Sequence, residues 1–379
     1  MEPKIRFKGF DGEWKAEELA HVCSVNRGVR VTRNDLHHNG IYPVYQNTDY
    51  PMGYYTKFNV ESNNPFVIVG GSAGLIGFCH TNFWAADDCV FFGDNPIINK
   101  SFLYNNLIFH KTEIKRNVRG ASVPRLDRET LRKLPVSIPS LPEQQEIASY
   151  FTSLDSQISA STSRLASLKQ MKSASLQAMF PQEGETVPKI RFKGFEGEWK
   201  KVKADSIFKT FNEKNRPDLP VLSATQDRGM VTRESIGYNI FHDTSNEATY
   251  KHILPGQFVI HLRSFQGGFA HSEIEGIASP AYTIMDFKNK DLYHDYYWRY
   301  VFMSKEFIKR LELITYGIRD GRSISYDEFK EMSFLVPSKE EQIKIASYLK
   351  NLDRQISLQS QRLEKLKQIK SACLDKMFV

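Results

Sequence analysis

The chain has 379 residues, enough for two or three domains, and its 41% apolar and 25% charged residues exclude a disordered protein. A net charge of +7 and a pI near 9.0 favour a polyanionic partner. Cys23, Cys79, Cys89 and Cys373 form no CxxC pair and no zinc spacing, the Met1–Lys4 start lacks the apolar stretch of a signal peptide, and the apolar runs are strand-sized. These features exclude a disulfide framework, a structural zinc site and a membrane span, and point to reduced thiols in the cytoplasm.

The chain opens on a leader, Pro3-Lys4-Ile5-Arg6-Phe7-Lys8-Gly9-Phe10-Asp11-Gly12-Glu13-Trp14. A body follows over residues 15–136, with short β-rich runs, aromatics and many Gly, Asn and Asp turns. Phe66-Val67-Ile68-Val69 reads as a strand, His37-His38 as a turn, and Gly70–Gly77 as a glycine-rich β-turn close to a ligand backbone. That glycine run lacks the G-x-G-x-x-G order of a nucleotide loop. Glu113-Ile114-Lys115 has the form of half a nuclease site, but Asp94 sits in an Asp-Asn-Pro turn and no upstream partner accompanies it.

Ser140-Leu141-Pro142-Glu143 then fits a capping box, in which the glutamate reaches back to the cap. Apolar residues recur at steps of four and three: Ile147, Phe151, Leu154, Ile158, Leu165, Leu168 and Met179. This is a heptad seam on one helix with no Pro or Gly until Pro181 and Gly184, and about 38 residues at 1.5 Å each would span roughly 57 Å.

From Pro188 the pattern starts again. The leader returns as Pro188–Trp199, changed only at Glu196, a second body covers 200–336, and the helix block Glu143–Phe180 returns as Glu341–Phe378. The second seam is Ile345, Leu349, Leu352, Ile356, Leu363, Leu366 and Met377, behind the cap Ser338 with Glu341. Polar interruptions match as well, Ser161 with Gln359 and Lys172 with Lys370. A stripe that long needs a partner. The obvious partner is the other copy, antiparallel within one chain, while a dimerising coiled coil would use the same pattern. The expected fold class is α+β: two similar β-rich α/β domains separated by a pair of long antiparallel coiled-coil helices, with a pseudo-two-fold. Boundaries fall at 1–139, 140–181, 182–336 and 337–379.

The bodies are diverged copies. Pro43–Thr48 lines up with Pro220–Thr225, Phe66-Val67-Ile68 with Phe258-Val259-Ile260, and Gly77–His80 with Gly268–His271. Between these anchors the polar residues differ, as two readers of different base sequences require, and as ordinary loop drift also produces. Candidate DNA contacts in the first body are Tyr45, Gln46, Asn47, Ser72, Lys115, Arg116 and Arg119. In the second they are Ser223, Thr225, Gln226, Arg263, Gln266, Arg319, Arg322 and Ser323. Asn and Gln can pair bidentately with adenine and Arg with guanine, while loop Ser, Lys and Arg hold phosphate.

The leaders ending in Gly-Glu-Trp, the Pro-x-x-x-Glu-Gln run opening each helix, and the Ile-Ala-x-Tyr…Leu-Asp-x-Gln-Ile pattern together resemble type I restriction–modification specificity subunits over essentially the whole chain. The resemblance implies a non-catalytic subunit that reads a split, asymmetric target on double-stranded DNA, one half-site per domain. It also implies two modification (methyltransferase) subunits docked on the helices and two restriction (endonuclease and translocase) subunits. S-adenosylmethionine, ATP and Mg are then expected on those partners, with no cofactor and no metal bound by this chain. The sequence contains no methyltransferase motif and no G-x-x-x-x-G-K-[ST] loop. The alternative is a stand-alone sequence-specific DNA-binding or coiled-coil scaffold protein.

Overall fold

In a computed structural model, which describes residues 2–225, 228–236, 244–261, 268–315 and 325–379, the duplication is literal. The first copy contains β1 (Lys15–Glu18), α1 (Leu19–Val22), β2 (Val25–Arg27), β3 (Tyr42–Tyr45), β4 (Gly53–Tyr55), β5 (Asn64–Ile68), β6 (Ile76–Cys79), β7 (Trp84–Ala85) and β8 (Cys89–Phe92). Then come α2 (Lys100–Phe109), α3 (Lys111–Arg116), α4 (Arg128–Arg132), β9 (Pro135–Ile138) and the long α5 (Leu141–Ala178). The second copy runs β10 (Lys200–Lys203), α6 (Ala204–Ile207), β11 (Phe208–Phe211), β12 (Leu222–Thr225), β13 (Gly229–Thr232), β14 (Lys251–Ile253), β15 (Phe258–Ile260), β16 (Phe269–His271), β17 (Gly276–Ala278) and β18 (Thr283–Phe287). It closes with α7 (Asp295–Met303), α8 (Lys305–Thr315), α9 (Tyr326–Lys330), β19 (Ser333–Val336) and the long α10 (Lys339–Met377).

Each copy carries a four-stranded antiparallel sheet of the same order, β2-β8-β5-β6 and β11-β18-β15-β16. Each also pairs the strand after its leader with the strand before its long helix, Lys15 opposite Ile138 and Lys200 opposite Val336. The parallel contact of Val44 with Trp84 recurs as Val221 with Ile277, so the match of the Pro43 and Pro220 strands holds.

The expected match of Phe66 with Phe258 is one residue out. Phe92 and Phe287 each stand seven residues before the matching helix N-caps, Asn99 and His294, which makes Val67, opposite Val90, the counterpart of Phe258, opposite Met285. Val67 faces the main core of its copy, as Phe258 does. Phe66 points the other way, into a small cluster with Val60, Cys79 and Phe83. The equivalence of Gly77–His80 with Gly268–His271 shifts by four residues for a different reason, a longer connection in the second copy: Ile76 and His271 hold the matching places opposite Val67 and Phe258. Side chains alternate along a strand, so a one-residue slip exchanges core and surface, and identity at a Phe misleads where facing decides.

By contacts the chain divides into residues 1–163 with 360–379, and residues 164–359. Each unit thus combines one body with part of both long helices. In the first unit Asp155 meets Lys370 at 2.5 Å and Tyr150 meets Cys373 at 3.4 Å, so the helical segments run antiparallel. In the second, Lys172 meets Asp353 at 2.6 Å and Ser175 meets Tyr348 at 3.2 Å, in the same sense.

The seam is where its spacing places it. Ile147, Phe151, Leu154, Leu168, Ile345, Leu349, Leu352 and Leu363 are buried, and Ile158, Leu165, Ile356 and Leu366 are half-buried. The two helical blocks do more than face each other. Ile147, Phe151 and Leu154 share one core with Trp14 of the leader, with Leu19 and Phe102 of the body, with Leu374 and Met377 of the other helix and with Phe378 just after it. Leu168, Met179, Ile345, Leu349 and Leu352 do the same with Trp199, Phe208 and Trp298. Helix and body are therefore one packed unit.

The capping box forms only in part. Ser338 Oγ accepts from the Glu341 N–H at 3.3 Å, as a cap should. The glutamates do not reach back: Glu143 accepts from Arg6 Nε and Nη2 at 2.7 and 2.8 Å, and Glu341 accepts from Arg191 at the same distances. A bidentate charged pair outcompetes a single bond to a backbone amide. The neighbouring glutamines, fully buried, fasten the helix start to the body. Gln144 accepts from the Asn99 N–H and donates to the carbonyls of Ile97 and Pro139, and Gln342 does likewise with His294, Leu292 and Pro337.

The four cysteines are free, three of them buried, and burial pushes the Cys23 thiol up to about 11. No helix among the described residues is long and apolar enough to cross a membrane.

Candidate nucleic-acid interface

In the first unit, the ends of β2, β3 and β5 and the start of β8 lie together, tied by the turn Ala86-Asp87-Asp88. The Ala86 N–H donates to Tyr45 O at 2.8 Å, Arg27 Nε donates to Asp87 O at 2.8 Å, and the Val69 N–H donates to Asp88 O at 2.8 Å. The residues chosen from sequence gather around this turn. Gln46, half-buried, donates Nε2 to Asp87 Oδ1 at 3.4 Å. Asn47 is exposed, and its carbonyl accepts from the Ser72 N–H at 3.1 Å. The Gly71 N–H donates to Pro124 O at 3.2 Å, and Arg119 and Arg125 exchange two backbone bonds of 2.8 and 2.7 Å. Lys115 and Arg116 close α3 and are exposed with Arg119, while the Lys115 stem and Val118 flank Gly74.

Three stretches far apart in the chain, 46–47, 70–74 and 115–125, thus form one surface. Beside it runs a groove of about 390 Å³ lined by Arg27, Val69, Asp88, Arg125, Asp127 and Arg128. Tyr45 takes a different place from the rest. Its ring packs on Phe66 at 4.4 Å and Phe83 at 5.6 Å, and burial, with Cys79 next to its hydroxyl, raises its pKa.

The glycines of the Gly70–Gly77 run serve the chain's own packing. A Cβ on Gly70 would lie 2.5 Å from the Asp88 carboxylate, Gly71 has φ +76 with Asn47 Cβ 2.9 Å from its would-be Cβ, and a Cβ on Gly77 would meet the Phe66 ring at 2.2 Å. The turn is real, and its glycines let it pack against Asp88, Asn47 and Phe66. His37 and His38 do form a turn, closed by the Gly40 N–H on His37 O. Glu113 pairs with His110 at 3.0 Å and Asp94 with Lys100 at 3.3 Å, so both carboxylates of the nuclease-like pattern take part in contacts within the chain. Among the described residues no group of His, Cys, Asp and Glu side chains could hold a metal ion.

In the second unit, Ser223 and Thr225 lie on β12, which forms a hairpin with β13. Thr225 Oγ1 donates to Gly229 O at 2.8 Å and accepts from the Arg228 N–H at 3.2 Å, so its hydroxyl closes the turn, and Arg228 beside it is exposed. Gln226, Arg263, Gln266, Arg319, Arg322 and Ser323 lie outside the described residues.

Sequence reasoning missed Asp87, Asp88, Arg125 and Arg27. A search for cations and amides passes over carboxylates, and only the fold brings residue 125 beside 88 and 70.

One scaffold built twice, with polar turn surfaces that differ between the copies, defines a two-module recognition protein. The family described as Type I restriction modification DNA specificity domain matches residues 11–170 and again 196–368, and the chain belongs to that family. The type I restriction enzyme MjaVIII specificity subunit of Methanocaldococcus jannaschii is 22% identical over 393 residues, spanning 96% of this chain and 91% of that protein. A putative type I specificity subunit of Mycoplasma pneumoniae is 26% identical over 151 residues, which is 38% of this chain and 41% of that one. In fold, the crystal structure of a type I restriction–modification S subunit from M. genitalium matches with a TM-score of 0.72 at 16% identity, covering 100% of this chain and 99% of that one.

Proposed function

We propose that each module reads one half of a split, asymmetric target on double-stranded DNA, the bodies 1–139 and 182–336 supplying the base contacts. The helical segments 140–181 and 337–379 set the interval between half-sites and carry two modification subunits, to which two restriction subunits add. In two-fold DNA readers, half-sites lie about 34–36 Å apart. The chain works in the cytoplasm and performs no chemistry itself. S-adenosylmethionine, ATP and Mg are bound by the partners.

The observation that carries this reading is the repetition of one sheet order and one helix-start clamp under turn residues that do not repeat. Readers of two different sequences need a constant frame and variable polar edges.

The test is co-expression with a modification subunit, followed by sequencing of methylated DNA. A two-part motif is expected, and replacing residues 15–136 by another body should change one half of it. If co-expression yields no new motif, or if the purified chain alone binds one site tightly and specifically, the proposal fails.

A further inference from the structure

We infer that Arg125 is a base-reading residue of the first module, aimed by Asp88, and this rests on the DNA-reading function proposed above. Exposed cations on the same surface, such as Lys115, Arg116 and Arg119, suit phosphate contact, which tolerates a mobile side chain. Arg125 is built differently. Its backbone is held on both sides, by two bonds to Arg119 and by a β-bridge to Gly70, and the next residue, Leu126, donates its N–H to Val69 O at 2.9 Å. Its side chain is 60% exposed, yet Nη1 donates to Asp88 Oδ1 at 2.8 Å, and Asp88 is only 18% exposed. Nε and Nη2 make no bond among the described residues, which leaves the planar fork that fits guanine O6 and N7.

The seat for Asp88 is itself specified. Its carboxylate fills the place a Cβ would take at residue 70, 2.5 Å away, so only glycine there lets Asp88 reach Arg125. A guanidinium ordered before DNA arrives loses little rotamer freedom on docking, and specific bidentate contact benefits from that most. A carboxylate beside a DNA-facing surface opposes the phosphates, which makes sense if its work is to orient an arginine.

The experiment compares the full chain with its Arg125→Ala, Arg125→Lys, Asp88→Asn and Arg119→Ala variants, each co-expressed with the modification subunit, and reads methylation by sequencing. Arg125→Ala should relax one base-pair position of one half-site, roughly tenfold to a hundredfold in discrimination, leaving the other half and the interval unchanged. Arg125→Lys keeps the charge and loses the fork, so it should relax the same position, and it decides the matter if the alanine variant does not fold. Asp88→Asn should weaken that position partially, and Arg119→Ala should lower modification evenly over all sequences. An even loss for both Arg125 variants, or an unchanged motif, overturns the inference while leaving the proposed function standing. Absence of any motif with the unaltered chain overturns both.

Discussion

Arg6 clamps Glu143 across 137 residues of chain, Nε on one carboxylate oxygen and Nη2 on the other, while Nη1 closes the leader's own turn on Gly12 O. Arg191 repeats the arrangement with Glu341 and Gly197, and both glutamates are almost wholly buried at 1% exposure. The hydrogen bond that each arginine donates to its glutamate also raises the pKa of that arginine.

Removing either arginine strands a buried carboxylate. Arg6→Ala should destabilise the first unit by ~3 kcal/mol, and Arg191→Ala the second by a similar amount. Arg→Lys variants should recover little, since an ammonium cannot reproduce the fork. Urea titrations followed by Trp fluorescence measure this, and midpoints matching the parent would refute the structural role.

Gln144→Leu leaves the Asn99 N–H and the carbonyls of Ile97 and Pro139 without their partner in a dry site. A loss of about 3 kcal/mol is expected from those unmet groups. Gln342→Leu should give the same loss in the other unit. Equal losses from the two variants in calorimetry would show that the repeated Glu-Gln pair is a structural fastening.

Lys172 and Asp353 form a partly buried pair at 2.6 Å, and Asp353 also accepts from Tyr300 Oη at 2.8 Å. A double-mutant cycle with Lys172→Met and Asp353→Asn should return a coupling of ~1 kcal/mol. Lys370 with Asp155 should behave alike. Strictly additive losses in both cycles would mean that the polar positions of the seam do not set its register.

Gly229 has φ +74, and a Cβ there would lie 2.2 Å from His271 O. Gly229→Ala should therefore cost at least ~2 kcal/mol and disturb the β12–β13 hairpin. Hydrogen exchange at Thr225 and Met230 would report it, and unaltered protection would contradict the geometry.

Alkylation of the native protein should label Cys373 alone, because Cys23, Cys79 and Cys89 are buried and burial pushes the Cys23 thiol up to about 11. Mass spectrometry with and without denaturant reads the pattern. Native labelling of Cys89 would show an opening of the first body that its packing forbids.

The seam was legible because its signal is local. Steps of four and three put Ile147 through Leu168, and Ile345 through Leu366, on one stripe, and every one is buried or half-buried. The repeat was legible as identity. What could not be read were couplings without a local period: Arg6 with Glu143, Asp88 with Arg125, and the facing of Phe66 against Val67. Within the first candidate surface, residues 46, 47, 72, 115 and 119 do converge, because turns at one end of a sheet must. Tyr45 looked the same on paper, and its ring completes a core.

The Ile190 N–H bonds to Ala178 O at 2.9 Å, and the Ile5 N–H bonds to Lys376 O at 3.0 Å, the corresponding place on the other helix. In the second copy a short stretch of chain joins the two partners; in the first, hundreds of residues intervene, and the same bond forms. Peptide continuity is therefore not what seats a leader, and a protease nick between Gln182 and Glu185 should leave the second leader as firmly moored as the first.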